Sequence, residues 1–263
     1  MRDVLNTVPI WLLLVAAVVL PIGVVLLSVW VTRRAVPATR DGFHAEISAP
    51  MLSVVAALFG FVLAFVIIIA YENYLSARDQ VGREANNLSA VVRDSNAFPE
   101  PGGEEVRRAV GGYVRGVVNN GFPHMRKGDP VSPLAFQQLA GIYAALRKVK
   151  ASSPEELTFY DDAVTRLNDA LDARRDRLDA AQGGLPADIA ALVLFGSFVI
   201  VAYAVLVGSP HFWFHALGPA AIAVVVAFSL VVLADLSYPF SGDLSISPEA
   251  FKSGVLEQFF TER

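Results

Sequence analysis

The chain has 263 residues, 54% of them hydrophobic and 17% charged, with a mean hydropathy of +0.50. That excess of apolar residues excludes an ordinary water-soluble enzyme or binding module and points to an integral membrane protein. The net charge of −4 gives no reason to expect a nucleic-acid partner, and the absence of cysteine removes disulfides, thiolate chemistry and cysteine metal sites.

The apolar residues gather in four blocks. The first, 8–32, reads as a retained membrane helix. Its apolar run is too long for a signal peptide, Arg2 beside Asp3 is a weak positive start, and no small-x-small cleavage site follows. Pro21 and Gly23 sit mid-span and predict a kink. Residues 33–50 read as a solvated loop; His44 and Glu46 within it are too few to hold a metal.

The second span, 49–71, is the one the rest is arranged around. No charge occurs from Ile47 to Tyr71, which is enough apolar helix to cross a hydrocarbon core of about 30 Å at about 1.5 Å per residue. The helical period then continues through polar residues, with no proline until Pro99. One helix is therefore expected to cross the membrane and run on into water. At about 100° per residue, Ser53, Ala57, Gly60 and Ala64 share one side, where small residues let another helix approach closely. Val54, Leu58, Phe61, Phe65, Ile68 and Glu72 form the neighbouring side. That side has three readings: a face toward lipid, packing inside one subunit, or the wall of a pore surrounded by several copies. In the last, Phe61 and Phe65 form an apolar constriction that gates by dewetting, and Glu72 stands at its aqueous end.

Residues 72–185 read as a soluble helical insert. Tyr74, Val81, Leu88 and Val92 recur at near-heptad spacing along the extension of the second span, and the PEPGG run at 99–103 ends it. Val106, Val110, Tyr113 and Val117 mark one face of the next helix, and 119–130 reads as a loop. Ser132 and Pro133 open a helix through Val149, with Leu139, Ile142, Tyr143 and Leu146 on its apolar side. The SSPEE run at 152–156 is a strong helix start: a serine cap, a proline at the first position, and acids at the positive end of the dipole. Along that helix Leu157, Val164, Leu171 and Leu178 lie seven apart, with Tyr160 and Leu167 between them. They read as a coiled-coil seam that packs on the extension of the second span. The clusters Arg147–Lys150 and Arg174–Arg177 read most simply as solvated faces.

Residues 186–236 form a membrane hairpin with spans at 189–207 and 214–234, and Phe212, Trp213 and Phe214 in its turn suit an interfacial belt. His211 and His215 have no third ligand nearby and read as interfacial. Residues 237–263 are the tail. Arg2, Arg78, Arg83, Arg174, Arg175, Arg177 and Lys252 lie on the insert side of the membrane, against Arg33, Arg34 and Arg40 on the other. Both termini and the insert are therefore expected in the cytoplasm, in a multi-pass protein of the plasma (inner) membrane. The expected fold class is all-α: residues 1–71 carry the first two membrane helices, 72–185 the cytoplasmic bundle, and 186–236 the other two.

Three stretches carry a family resemblance: EANNLSAVVRD at 84–94, RRDRLDAAQGGLP at 174–186, and DLSYPFSGDLSISPEAF at 235–251. On these the chain resembles the bestrophin-like domain family. Ser237 and Tyr238 stand where that family has Asp-Arg, and Gly121, Phe122 and Pro123 where it tends to have Glu-Trp-Pro. A more distant resemblance is to the bestrophins themselves, four-span pentameric chloride channels with a cytosolic helical domain. In those the second span lines the pore with bulky apolar residues about four apart, a spacing that Phe61 and Phe65 fit. Asp235 at the end of the fourth span is followed by Pro239, Phe240, Gly242 and Asp243, which resemble a loosened version of the bestrophin Pro-Phe-Gly-acid segment with Ser241 inserted. That segment binds calcium in animal bestrophins. Here only Asp235, Asp243 and Glu249 are near it, too few for an oxygen cage, so no metal is expected and the segment reads as a structural turn.

The chain has no HExxH, no GxSxG and no paired intramembrane carboxylates, so neither an enzyme nor a cofactor is expected. Mid-membrane ionisable residues, the usual mark of a proton-coupled transporter, are absent. The expectation is a homo-oligomeric channel for small inorganic ions, anions by resemblance, embedded in the lipid bilayer; the resemblance implies a pentamer. The alternative is a non-conducting membrane scaffold whose cytoplasmic bundle binds a protein partner.

Overall fold

A computed structural model describes residues 2–40, 45–129 and 133–261, and among these there is no β-strand. In chain order the helices are α1 (Arg2–Thr7), α2 (Ile10–Ala35), α3 (Ala45–Asp94), α4 (Gly102–Gly116), α5 (Phe122–Lys127), α6 (Pro133–Leu146), α7 (Pro154–Gln182), α8 (Ala187–Leu206), α9 (Phe212–Leu236) and α10 (Gln258–Thr261). Four segments are long and apolar enough to cross a membrane: α2, the first half of α3, α8 and α9. The all-α fold with four spans is therefore the one observed. Asp41, His44 and Ser132 lie outside the described residues.

The chain divides into two compact units. The first comprises residues 7–72 and 184–237. Its core joins Val25 and Val29 of α2 to Val205 of α8 and to Ala216 and Ala223 of α9. Pro21 lies inside an α2 that is unbroken from Ile10 to Ala35. The region read as a loop is mostly helical: α2 continues to Ala35, a 3-10 turn covers Pro37–Arg40, and α3 begins at Ala45 with Pro50 inside it. Pro50 is the sixth residue of α3, past the four N–H groups that lack a helical partner, so it forfeits one backbone bond near the helix start. Where α3 meets α8, the ring of Phe59 fills the place that a side chain on Gly196 would take.

The second unit comprises residues 2–6, 73–183 and 238–263. One core runs through it, from Val81 and Leu88 of α3 to Val110 of α4, Ile142 of α6, Leu167 of α7 and Phe251 of the tail. Val106, Val110, Tyr113 and Val117 are all buried, as the periodicity of α4 expects. The stretch read as a loop at 119–130 instead holds a π-type turn, Val117–Gly121, and α5. Pro123 stands in the first turn of α5, directly after the π-type turn. Gly128, with φ of 75°, ends it.

α7 starts as its sequence dictates. The Ser153 hydroxyl accepts from the Glu156 N–H at 3.1 Å, and the Glu156 carboxylate accepts from the N–H groups of Ser152 and Ser153. Those backbone donors hold the Glu156 carboxyl below the usual carboxylate range. The buried face of α7 is centred to one side of the expected seam. It shares Leu167 with it and otherwise runs through Ala163, Ala170, Arg174, Arg177 and Ala181, while Tyr160, Val164, Leu171 and Leu178 pack at the edge of the core and Leu157 is 47% exposed. Alanine packs helices closely without announcing itself as hydrophobic, so the larger leucines drew the stripe off centre.

Candidate functional site

Over its apolar half α3 turns one narrow side to the rest of the chain, through Leu63, Val66 and Ala70. The rest is open. Phe61 and Phe65 are 67% and 64% exposed, and Val54, Leu58, Ile68 and Glu72 are exposed with them. The reading in which this side packs inside one subunit is therefore overturned. Ser53, Ala57, Gly60 and Ala64 are exposed as well, and nothing lies within 4 Å of where a side chain on Gly60 would begin. No other helix of the chain receives the small-residue face, among the described residues; α8 meets α3 at Phe59 instead. The most apolar stretch of α3 is 6% buried, against 11% in α2 and 28% in α9.

The second unit holds a buried charge network that the sequence reading assigned to solvent. Glu84 of α3 and Arg177 of α7 are 0% and 2% exposed, and Tyr113 of α4 is 1% exposed. Arg177 Nε donates to Glu84 Oε2 at 2.6 Å and its Nη2 to Oε1 at 3.1 Å, a two-pronged pair. The Tyr113 hydroxyl donates to Oε1 at 2.6 Å. Arg177 Nη1 lies 3.2 Å from the Met125 sulfur, and the guanidinium is flanked by the rings of Phe122 and Phe251 at 5.8 and 5.9 Å. Burial disfavours the Arg177 charge, but the Glu84 carboxylate outweighs it, and the guanidinium is held above its ordinary range. Burial and then Glu84 push the Tyr113 hydroxyl well up, so it stays a donor.

This network corrects the reading of Arg174–Arg177 as a solvated face, since Arg174 is buried too. A signal for it was present. Glu84 interrupts the apolar stripe Ala77–Val81–Leu88 of α3, and Arg177 interrupts the stripe Ala163–Leu167–Ala170–Ala181 of α7. Opposite charges inside two apolar stripes are cheapest when they meet. The pair also joins the first two stretches that carry the family resemblance, and Phe251 brings in the end of the third.

In the first unit, Arg33 reaches the turn between α8 and α9. Its guanidinium donates to the carbonyls of Ser209 and Pro210 at 2.7 and 2.8 Å. His215 is buried rather than interfacial, at 1% exposed. Its Nε2 lies 2.9 Å from the Val205 carbonyl, which can only accept, so Nδ1 is left to accept from Arg33 at 3.4 Å. The histidine thus ties the end of α8 to the start of α9. Trp213 and Phe214 beside it are exposed, and His211 packs edge-on against Phe214.

The tail motif divides between the units. Asp235 is buried at the end of α9. Pro239, Phe240, Ser241 and Gly242 are buried in the second unit, and Asp243 is exposed. The Gly242 N–H donates to Asn6 Oδ1 at 3.1 Å, with the glycine at φ 77° where a side chain would be strained. Asn6 and Ser241 both donate to the Arg126 carbonyl at the end of α5. Arg2 donates to the last carbonyls of α7, at Ala181 and Gln182, and lies over the Tyr238 ring. The motif is a turn that binds the N-terminal helix to α5 and α7. Among the described residues no three of His, Cys, Asp or Glu come together as a metal site would require.

A family model described as the bestrophin-like domain matches residues 19–251. No curated protein matches the chain by sequence. Among solved structures it is similar to two crystal structures of a bacterial bestrophin homologue from Klebsiella pneumoniae. An isoleucine-to-threonine variant of that protein shows 12% identity and a TM-score of 0.70 over 94% of this chain and 99% of the other. A leucine-to-threonine variant shows 13% identity and a TM-score of 0.69 over 96% and 99%. A proline-to-alanine variant of a membrane protein is similar at 11% identity and a TM-score of 0.66, over 95% of this chain and 97% of the other. At these identities the likeness shows the fold.

Proposed function

The chain belongs to the bestrophin-like domain family, and from that premise we propose that it assembles into an ion-conducting oligomer of the plasma (inner) membrane, with α3 of each copy around the pore and small anions as the permeant species. The observation that carries the reading is the uncovered circumference of α3, which its own subunit covers least of the spans. A membrane helix that offers small residues on one side and a regular row of Phe and Ile on the next has two distinct neighbours to satisfy. Other copies of α3 approach the side of Ser53, Ala57, Gly60 and Ala64. The row Val54, Leu58, Phe61, Phe65 and Ile68 then faces the axis, where Phe61 and Phe65 close the path by excluding water, and Glu72 stands at the mouth. A path along the exposed side of α3 needs several copies to enclose it; the resemblance to bestrophins supports five copies and chloride. The excess of arginine beside the ends of α3 and α7 supports a cytoplasmic second unit and cytoplasmic termini.

Flux through the purified protein in liposomes or planar bilayers tests this, with the wild type beside Phe61→Ala/Phe65→Ala. The reading predicts larger currents in the variant, and a reversal potential in asymmetric potassium chloride on the chloride side. A well-formed oligomer that passes no ions in either form contradicts it and favours the scaffold.

A further inference from the structure

The open face of α3 does not stop at the membrane. Asp79, Arg83 and Asn86 stand eighteen residues after Phe61, Phe65 and Ile68, five turns of a helix with about 3.6 residues each. They are therefore in phase with the apolar row on the same unbroken helix. All three are exposed, as are Leu75 and Ser76 in the same sector. The opposite side of this segment is committed to the core, through Ala77, Val81, Glu84, Ala85 and Leu88. The open run ends at the next in-phase residue, Ala90, which is 8% exposed. Asp79 and Arg83 form an ion pair at 2.8 Å, with side chains 60% and 65% exposed.

We infer that Glu72, Asp79, Arg83 and Asn86 line a second, polar section of the ion path, and that the Asp79–Arg83 pair sets its preference between anions and cations. The inference rests on the proposed conduction along α3. If copies of the apolar row surround an axis, residues in phase with that row line the same wall. A symmetric assembly repeats each charge around the bore as a ring, and rings of charged side chains select ions by sign. Within one subunit Asp79 and Arg83 nearly cancel, which leaves Glu72 as the net charge of the section, and removal of either partner adds an uncompensated ring of the other's sign.

The test is the chloride-to-potassium permeability ratio, read from reversal potentials in a salt gradient. Asp79→Asn should raise the ratio and Arg83→Gln should lower it, each by roughly twofold or more, with both shifts shrinking at about 1 M salt, where the screening length is about 3 Å. Arg78→Gln, exposed on the same helix but about 100° away from Asp79, should leave it unchanged. Because the chain has no cysteine, Asn86→Cys can be modified alone, and positive and negative methanethiosulfonate reagents should move the ratio in opposite senses. A conducting wild type whose ratio is unmoved by both charge variants and by modification at Asn86→Cys overturns the inference while leaving conduction along the apolar row intact. No current in the wild type or in Phe61→Ala/Phe65→Ala overturns both.

Discussion

Arg177 depends on Glu84 for its place in the core. Its charge is tolerated because the carboxylate, a sulfur and two rings replace the water it lost. Arg177→Met should therefore cost about 3–5 kcal/mol by stranding the carboxylate, and Glu84→Gln/Arg177→Met together should cost less than that single change; melting curves in detergent give both values. Asp94 is the opposite case. It is 8% exposed, with one carboxylate oxygen sealed from water and without a hydrogen-bond partner. Burial and then Asp162 raise its affinity for a proton, against Arg93 and Arg166. A carboxyl raised in the folded state supports folding below its unfolded range near 3.9, and that support is lost as pH rises through the folded value. Asp94→Asn should thus raise the melting temperature at neutral pH, and the gain should fade as the solution is acidified toward pH 4.

At the scale of elements, what was legible in the sequence is what solvent enforces. A hydrocarbon core demands a long uncharged run, so α2, α3, α8 and α9 announce themselves. The cap of α7 was equally plain, because the Ser153 and Glu156 side chains each meet an unpaired backbone N–H and Pro154 has none to leave unpaired. Ser153→Ala should destabilise the second unit by about 1 kcal/mol, readable as faster hydrogen exchange in the first turn of α7. Packing was less legible. The alanines that bury α7 and the glycine that seats Phe59 carry no hydrophobic signal of their own. Gly196→Leu should push that ring away and loosen the contact of α3 with α8, at a cost of roughly 1–3 kcal/mol, measured as a lower melting temperature in detergent. α5 was missed because Asn119, Asn120, Gly121 and Pro123 read as a break, whereas the π-type turn absorbs the first three and the first turn of α5 admits the proline.

For the whole molecule, both faces of α3 singled out by spacing are left open by the subunit. Periodicity could mark these faces but not their neighbours, because in the proposed assembly the partners belong to other copies of the chain. Cross-linking between copies reads whether Phe61 faces the axis of the proposed oligomer. Single cysteines are introduced at Phe61 and, as a comparison, at Phe198, which is 69% exposed on α8. In native membranes treated with a short bifunctional thiol reagent, Phe61→Cys should give linked chains and Phe198→Cys should not. Linking through Phe198→Cys with none through Phe61→Cys would place α3 away from the axis and rule out the proposed pore.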